Sequence, residues 1–242
     1  MNVAIIPARG GSKRIPQKNI KDFCGKPMLS YAIETALISG CFDEVVVSTD
    51  CPVTATLAEK CGAVVPFMRP ASLSDDHTGT TDVIRHAIKQ LRLLDYDVEL
   101  VCCLYATTPL LQGKTLKRGL KLLTSDDSVD FVFSACHFSF PIQRALIENE
   151  FGGIEPFDPK SIGQRSQDLT PTYHDAGQFY WGRAEAFLDP TRSVFGSNGR
   201  MLLLPTHRVQ DIDTIEDWYR AEILYQLLKV EESKGNHHNE TA

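Results

Sequence analysis

The sequence has no apolar run approaching the roughly 20 residues of a membrane-spanning helix. It also lacks a signal-peptide pattern, because its first residues enter the β-branched run Val3-Ala4-Ile5-Ile6 directly. Its seven cysteines (Cys24, Cys41, Cys51, Cys61, Cys102, Cys103 and Cys136) form no C-x-x-C pair and no zinc spacing. An odd count, with Cys102-Cys103 inside an apolar run, reads as reduced, mostly buried thiols, and a cytoplasmic location is expected. No basic partner stands beside any of them, so a catalytic thiol is not expected. Basic excess is missing too: 25 Lys and Arg face 31 Asp and Glu, a net charge of −6, which argues against nucleic acid as a partner. Two phosphate-binding motifs are absent, the Walker order G-x-x-x-x-G-K-[ST] and the dinucleotide fingerprint G-x-G-x-x-G.

Against that acidic background, Arg9 to Lys26 holds six of the 25 basic residues and one acid, Asp22. Its core reads Pro7-Ala8-Arg9-Gly10-Gly11-Ser12-Lys13-Arg14-Ile15-Pro16-Gln17-Lys18-Asn19. Glycine lets backbone N–H groups approach phosphate oxygens, and the cations neutralise several negative charges together. A charge run is usually a solvated surface. This one follows a strand pattern, and in open α/β sheets ligands sit at the carboxyl ends of strands.

Forty-three per cent apolar residues in a chain of 242 suffice for a sizeable core. Short apolar runs predict strands at Val3–Ile6, Val45–Ser48, Ala63–Phe67, Leu100–Leu104 and Phe131–Ser134. Periodicity predicts helices at Met28–Ser39, Thr54–Lys60, Thr80–Leu93, Lys114–Leu123 and Thr214–Leu228. The alternation predicts an α/β fold with a mostly parallel sheet. His137–Thr172 breaks this rhythm and, with the turn Asn149-Glu150-Phe151-Gly152-Gly153, reads as a β-hairpin-like insertion. A single domain over 1–232 with that insertion inside it, then a flexible polar tail over 233–242, is the expected organisation. His237-His238 lie in the tail without a second ligand cluster and read as solvated.

Asp211-Ile212-Asp213 places two carboxylates at i and i+2, on one side of an extended chain. Hard oxygens in that arrangement suit Mg²⁺ bridging phosphates. Asp213 also fits a helix-capping box with Glu216, which leaves Asp211 unexplained.

The pattern Pro7-Ala8-Arg9-x-x-Ser12-Lys13-x-x-Pro16-x-Lys18-Asn19 resembles the signature loop of the acylneuraminate cytidylyltransferases, which make CMP-activated nonulosonic acids. The likeness extends through most of the chain. It implies a Rossmann-like fold of the nucleotide-diphospho-sugar transferase type, a β-rich insertion at 137–172 that dimerises and reaches the partner's site, and hence a homodimer. It implies CTP and a nonulosonic acid as substrates and Mg²⁺ on Asp211 and Asp213, where the family's D-x-D-x-P-E-D reads Asp211-Ile212-Asp213-Thr214-Ile215-Glu216-Asp217. Arg9, Lys13 and Lys18 would be catalytic. Ala8, Arg9, Gly11, Ser12, Asn19, Arg69 and Thr80 would bind the nucleotide, Arg69 at the cytosine end.

Leu104-Tyr105-Ala106-Thr107-Thr108-Pro109-Leu110 departs from the L-Q-P-T-S-P-L of sialic acid synthetases. Tyr105 stands where their sugar-contacting glutamine does. The blocks around Ser74–Thr80, Phe140–Arg144 and Tyr173–Trp181 look most like the pseudaminic acid branch of the family. Tyr105, Thr107, Gln143, Arg144, Arg165, Gln178 and Tyr180 are the corresponding sugar-site candidates. N-acetylneuraminate, legionaminate and Kdo activation are the neighbouring readings. A CTP-binding regulator without catalysis is the reading from another class, and the retained Lys13, Lys18, Asp211 and Asp213 argue against it.

Overall fold

The computed structural model describes residues 1–239. Strand β1 (Asn2–Pro7) opens the chain, and β2 (Asp22–Phe23) and β3 (Lys26–Pro27) form a two-residue ladder ahead of helix α1 (Met28–Ser39). Then come β4 (Glu44–Ser48), α2 (Pro52–Lys60), α3 (Thr80–Leu93), β5 (Leu100–Leu104), α4 (Gly113–Thr124) and β6 (Phe131–His137). The hairpin β7 (Leu146–Glu148) and β8 (Ile154–Pro156) follows, then β9 (Tyr173–Arg183), α5 (Ala184–Leu188), β10 (Gly199–Leu203) and α6 (Ile215–Asn239).

The main sheet has the order β10-β6-β9-β5-β1-β4. Only β9 runs antiparallel to its neighbours. The inner strands are buried on both faces, as parallel strands under helices must be. In β1, Ala4 and Ile6 pack with α1 and α4 on one face, while Val3 and Ile5 pack with α3 on the other. From β1 the chain steps to β4 on one side and then crosses to β5 on the other. That reversal opens a crevice at the carboxyl ends of β1 and β5, where α/β sheets place ligands.

The helices Met28–Ser39 and Thr80–Leu93 and the strand Leu100–Leu104 match their predicted bounds. Ala63–Phe67 is no strand: this stretch and its edge contribute isolated bridges at Val64 and Met68. Pro66 lacks the N–H that a continuous ladder would need. β9 was not anticipated, because Phe179-Tyr180-Trp181 is continuous rather than alternating, the pattern of a strand covered on both faces. Helix α6 continues past Leu228 to Asn239, through the stretch expected to be a tail, and 240–242 lie outside the described residues. Nothing is described of the side chains of His237 and His238.

Candidate active site

The basic loop after β1 is pinned at three places. Ile15, 2% exposed, sits in a small core with Phe23, Met28, Tyr31, Ile212 and Trp218, so the loop is tied to α6. Gly10 donates its N–H to Asp50 Oδ1 at 2.9 Å, and a Cβ there would come within 2.7 Å of Cys51 Cβ. Asn19 Nδ2 donates to the Arg9 carbonyl at 3.0 Å and closes the loop across its base. Asn19 is therefore a brace of the loop as well as a candidate nucleotide contact. Ala8 is buried and donates its N–H to the Ser48 carbonyl at 2.9 Å, fixing the point where loop leaves sheet. Gly11 is exposed at the loop crest.

This loop walls a cleft of about 430 Å³ lined by Arg9, Ser12, Lys13, Arg14, Lys18 and Asn19, with Asp76, Tyr105, Ala106 and Thr107 opposite. The predicted phosphate cations and the β5 block thus meet in one place, although nearly a hundred residues separate them. Lys13 is largely exposed and reaches Asp76 at 2.5 Å; Arg9 Nη1 reaches the same carboxylate at 2.6 Å. Hydrogen bonds from Lys13 and then Arg9 hold the Asp76 carboxyl down at about 2. A carboxylate of this chain therefore occupies the position that suits a phosphate. Asp76 was not singled out from the sequence, where it is one acid in a polar loop; its place depends on the loop folding back over Arg9.

Below the cleft lies a cavity of about 220 Å³ lined by Arg9, Arg69, Asp75, Thr78, Thr80 and Tyr105. Arg69 is 5% exposed, its Nε donates to Ser74 Oγ at 3.1 Å, and its Nη2 has no hydrogen-bond partner. Asp50 Oδ1 is 3.8 Å away from that nitrogen, too far for a hydrogen bond. A buried guanidinium nitrogen without a hydrogen bond is costly, and a ligand carbonyl or ring nitrogen would satisfy it. Thr80 does not cap α3; the N-cap is Gly79, and Thr80 Oγ1 lies 3.2 Å from the Tyr105 hydroxyl.

The carboxylate pair lies at the cleft's edge. The cap of α6 is Thr214 with Asp217, not Asp213 with Glu216: Thr214 N–H donates to Asp217 Oδ2 at 2.9 Å, and Asp217 N–H donates to Thr214 Oγ1 at 3.2 Å. This shift by one residue releases Asp213, which faces Arg14 at 2.8 Å and Lys18 at 3.6 Å. Lys18 Nζ also donates to the Ile212 carbonyl at 2.5 Å. Burial lowers the Lys18 pKa, with Asp213 and Asp211 opposing. Lost solvation on its protein side, then repulsion from Asp213, raises the Asp211 carboxyl. Two carboxylates that repel each other beside a phosphate-sized cleft fit a hard divalent cation, whose remaining ligands would be water and phosphate oxygens. Among the described residues, no group of three or more His, Cys, Asp and Glu side chains stands ready to hold a metal by itself.

The sugar candidates divide. Tyr105 and Thr107 line the cleft, and Tyr105 with Tyr180 lines a neighbouring cavity of about 520 Å³. Gln178 is 3% exposed and donates Nε2 to the Arg208 carbonyl at 2.5 Å, tying the middle of β9 to the segment before α6. Gln143, Arg144 and Arg165 lie on the arm, the excursion 138–172 between β6 and β9 that carries the β7–β8 hairpin, and line none of these three cavities. Gln143 Nε2 donates to the Thr170 carbonyl at 2.8 Å, and Arg144 donates to the Gln164 carbonyl. Sequence pattern does not single out Arg14 or Asp50: Arg14 is one more cation in the run, and Asp50 meets the loop only through the fold.

Comparison with known proteins agrees with this geometry. Residues 3–139 match the family model described as cytidylyltransferase. A pseudaminic acid cytidylyltransferase of Campylobacter jejuni is 48% identical over 226 residues, 93% of this chain and 97% of that protein. A CMP-N,N'-diacetyllegionaminic acid synthase of Legionella pneumophila is 31% identical over 93% of this chain and 96% of that protein. The structure of a CMP:2-keto-3-deoxy-manno-octonic acid synthetase complexed with CTP superposes with a TM-score of 0.69 at 19% identity, covering 93% of this chain and 98% of that one, a likeness of fold. The chain belongs to the cytidylyltransferase family and is a nucleotidyltransferase.

Proposed function

We propose that this cytidylyltransferase transfers CMP from CTP to the anomeric hydroxyl of pseudaminic acid and releases pyrophosphate. The observation that carries the chemistry is the convergence of Arg9, Lys13 and Lys18 on one cleft beside Asp211 and Asp213. The sugar is supported by the 48% identity to the Campylobacter jejuni enzyme over nearly the whole of both chains.

The sugar hydroxyl attacks the α-phosphorus in line with the departing pyrophosphate. Such transfers depend on positioning and on stabilising charge as it develops. Arg9 and Lys13 exchange the Asp76 carboxylate for phosphate oxygens. Lys18, anchored by the Ile212 carbonyl, holds its charge at a fixed depth between the phosphates and Asp213. Ser12 donates its hydroxyl at the loop, and Arg69 Nη2, which has no hydrogen-bond partner within the chain, meets an acceptor on the cytosine. Asp211 and Asp213 would hold Mg²⁺, which when bound supplies Lewis-acid polarisation of phosphate oxygens and favours the ionised nucleophile.

The arm supports a homodimer. It exposes Leu146, Ile147, Phe151 and Ile154 on the isolated β7–β8 hairpin, and a lone two-stranded hairpin is marginal in water. Arg144 and Arg165, which line none of the three cavities of their own chain, are the arm's candidates to serve a second copy's sugar site. All seven cysteines are free, which suits the cytoplasm. Among the described residues, no helix is long and apolar enough to cross a membrane.

Pyrophosphate release from CTP with pseudaminic, legionaminic, N-acetylneuraminic acid and Kdo, read with product mass, tests this reading. Turnover of pseudaminic acid in clear preference is expected. Preference for N-acetylneuraminate would discard the sugar assignment and keep the chemistry; CTP binding with no turnover of any acid would favour a regulator.

A further inference from the structure

Asp175 takes no part in the reaction described above. It sits in β9 beside the register shift opposite Phe133 and Ala135 of β6. Its two carboxylate oxygens have different partners. Oδ1 accepts the Gly177 N–H at 3.0 Å, and Gly177 has φ +60, a left-handed conformation that glycine adopts without strain. Oδ2 accepts the Tyr180 hydroxyl. Tyr180 meets Tyr105 edge-on, ring centroids 5.6 Å apart, so the Tyr180 ring packs directly against Tyr105. Tyr105 Oη in turn lies 3.2 Å from Thr80 Oγ1. Burial first, then Tyr105 and Asp175, hold the Tyr180 phenol well above its usual range, so it remains a donor.

A chain of contacts therefore runs from exposed Asp175 to the Tyr180 hydroxyl, across the edge-on ring contact to Tyr105, and from the Tyr105 hydroxyl to the first residue of α3. It stands at a boundary. Tyr105 lines the 430 Å³ cleft, the 220 Å³ cavity and the 520 Å³ cavity, and Thr80, Asp175 and Tyr180 line the last as well. Phe195, Phe131 and Phe187 make much of the far wall of that cavity. A sugar acid with its anomeric oxygen at the α-phosphate must lay its ring and substituents against Tyr105. A phenol has one soft ring torsion beyond χ1, so an unanchored ring would present a different wall to each substrate. Anchored at both ends, it presents one.

We propose that Asp175 is a positioning residue that, through Tyr180, fixes the Tyr105 ring and so decides which sugar acid the enzyme accepts; this rests on the CMP transfer proposed above. It acts on selection between sugars and not on CTP, because neither Asp175 nor Tyr180 lines the cleft that holds the phosphate cations.

Asp175→Ala, Asp175→Asn and Tyr180→Phe test it, with CTP and sugar kinetics measured separately for each acid. Asp175→Ala should raise KM for the preferred sugar acid about tenfold, the size of one lost buried hydrogen bond, and reduce its preference over the other acids. CTP KM should stay at the wild-type value. Asp175→Asn, whose carboxamide oxygen can still accept the phenol, should recover most of the loss. Asp175→Ala with Tyr180→Phe should lose no more than either alone, since both cut the same link. The tyrosine Raman doublet, which reports phenol hydrogen bonding, should change in Asp175→Ala without any substrate. Wild-type sugar selectivity in Asp175→Ala, additive losses in the double variant, or an unchanged Raman doublet would each overturn the proposal. If Asp175→Ala fails to fold, Tyr180→Phe keeps the ring and interrogates the same link. If wild-type enzyme turns over none of the acids, the reaction assignment fails, while the Raman comparison still decides whether Asp175 holds the phenols.

Discussion

The loop from Arg9 to Asn19 and the arm from Phe138 to Thr172 are both irregular chain, but they are held in opposite ways. The loop buries Ile15 in a core shared with α6, spends a glycine against Cys51, and closes on itself through Asn19. Its cations are presented on a rigid base. The arm holds itself by a three-residue-per-strand hairpin and short polar turns, and turns Phe151, 95% exposed, outward. The loop suits chemistry, where charge must be in place before the phosphates arrive. The arm suits contact, where apolar surface waits for a partner.

Variants in the two regions should therefore separate chemistry from assembly. The largest effect belongs to Lys13→Ala, which should lower kcat by about 10²–10³-fold while leaving the thermal unfolding curve in place, since Lys13 is exposed. A wild-type kcat would remove Lys13 from the reaction. Asp211→Asn comes next. Half-maximal activity should require at least about tenfold more Mg²⁺, and superimposable Mg²⁺ titrations of variant and parent would refute a metal role for the pair.

Ile15→Ala probes the base of the loop and not its charge. Removing a buried isoleucine should cost about 3 kcal/mol in urea unfolding and raise CTP KM along with it. A loss of stability with unaltered CTP KM would mean that the loop keeps its shape without its anchor.

Asp76→Ala should tighten CTP binding about two- to fivefold, because an exposed ion pair competes only weakly with phosphate. Asp76 titrates at about 2, below its ordinary value, so its pairing with Lys13 and Arg9 is present above that range and lost only as pH falls through it. The gain in CTP affinity should accordingly be the same at pH 6 as at pH 8. Calorimetry showing weaker CTP binding would instead make Asp76 a nucleotide contact. The smallest effect on the cleft belongs to Phe151→Asp: sedimentation should show monomer in place of dimer, with CTP affinity unchanged. A dimer that survives would move the interface off the hairpin.

Much of the scaffold was legible because it depends on near neighbours in sequence. Met28–Ser39 and Thr80–Leu93 are long enough for periodicity to speak. β9 was illegible for a physical reason: covered by helices on both faces, it carries no polar stripe, so its aromatics read as a binding block. The capping of α6 was misread by one residue because Asp213 and Thr214 are both good caps, and only the fold reveals that Asp213 is engaged by Arg14 and Lys18.

The order of residues alone determined the strand–loop–helix grammar and the concentration of positive charge after β1. Both follow from local pattern, and charge count needs no coordinates. Only the tertiary structure decided which distant groups share a space: that Asp76 meets Lys13 and Arg9, that Arg69 is buried with a nitrogen lacking a hydrogen bond, and that Tyr105 lines both the phosphate cleft and the neighbouring cavity. These are consequences of strand order, because the crossover that sets β5 beside β1 brings residues nearly a hundred positions apart within bonding distance, and a linear pattern carries no such distance.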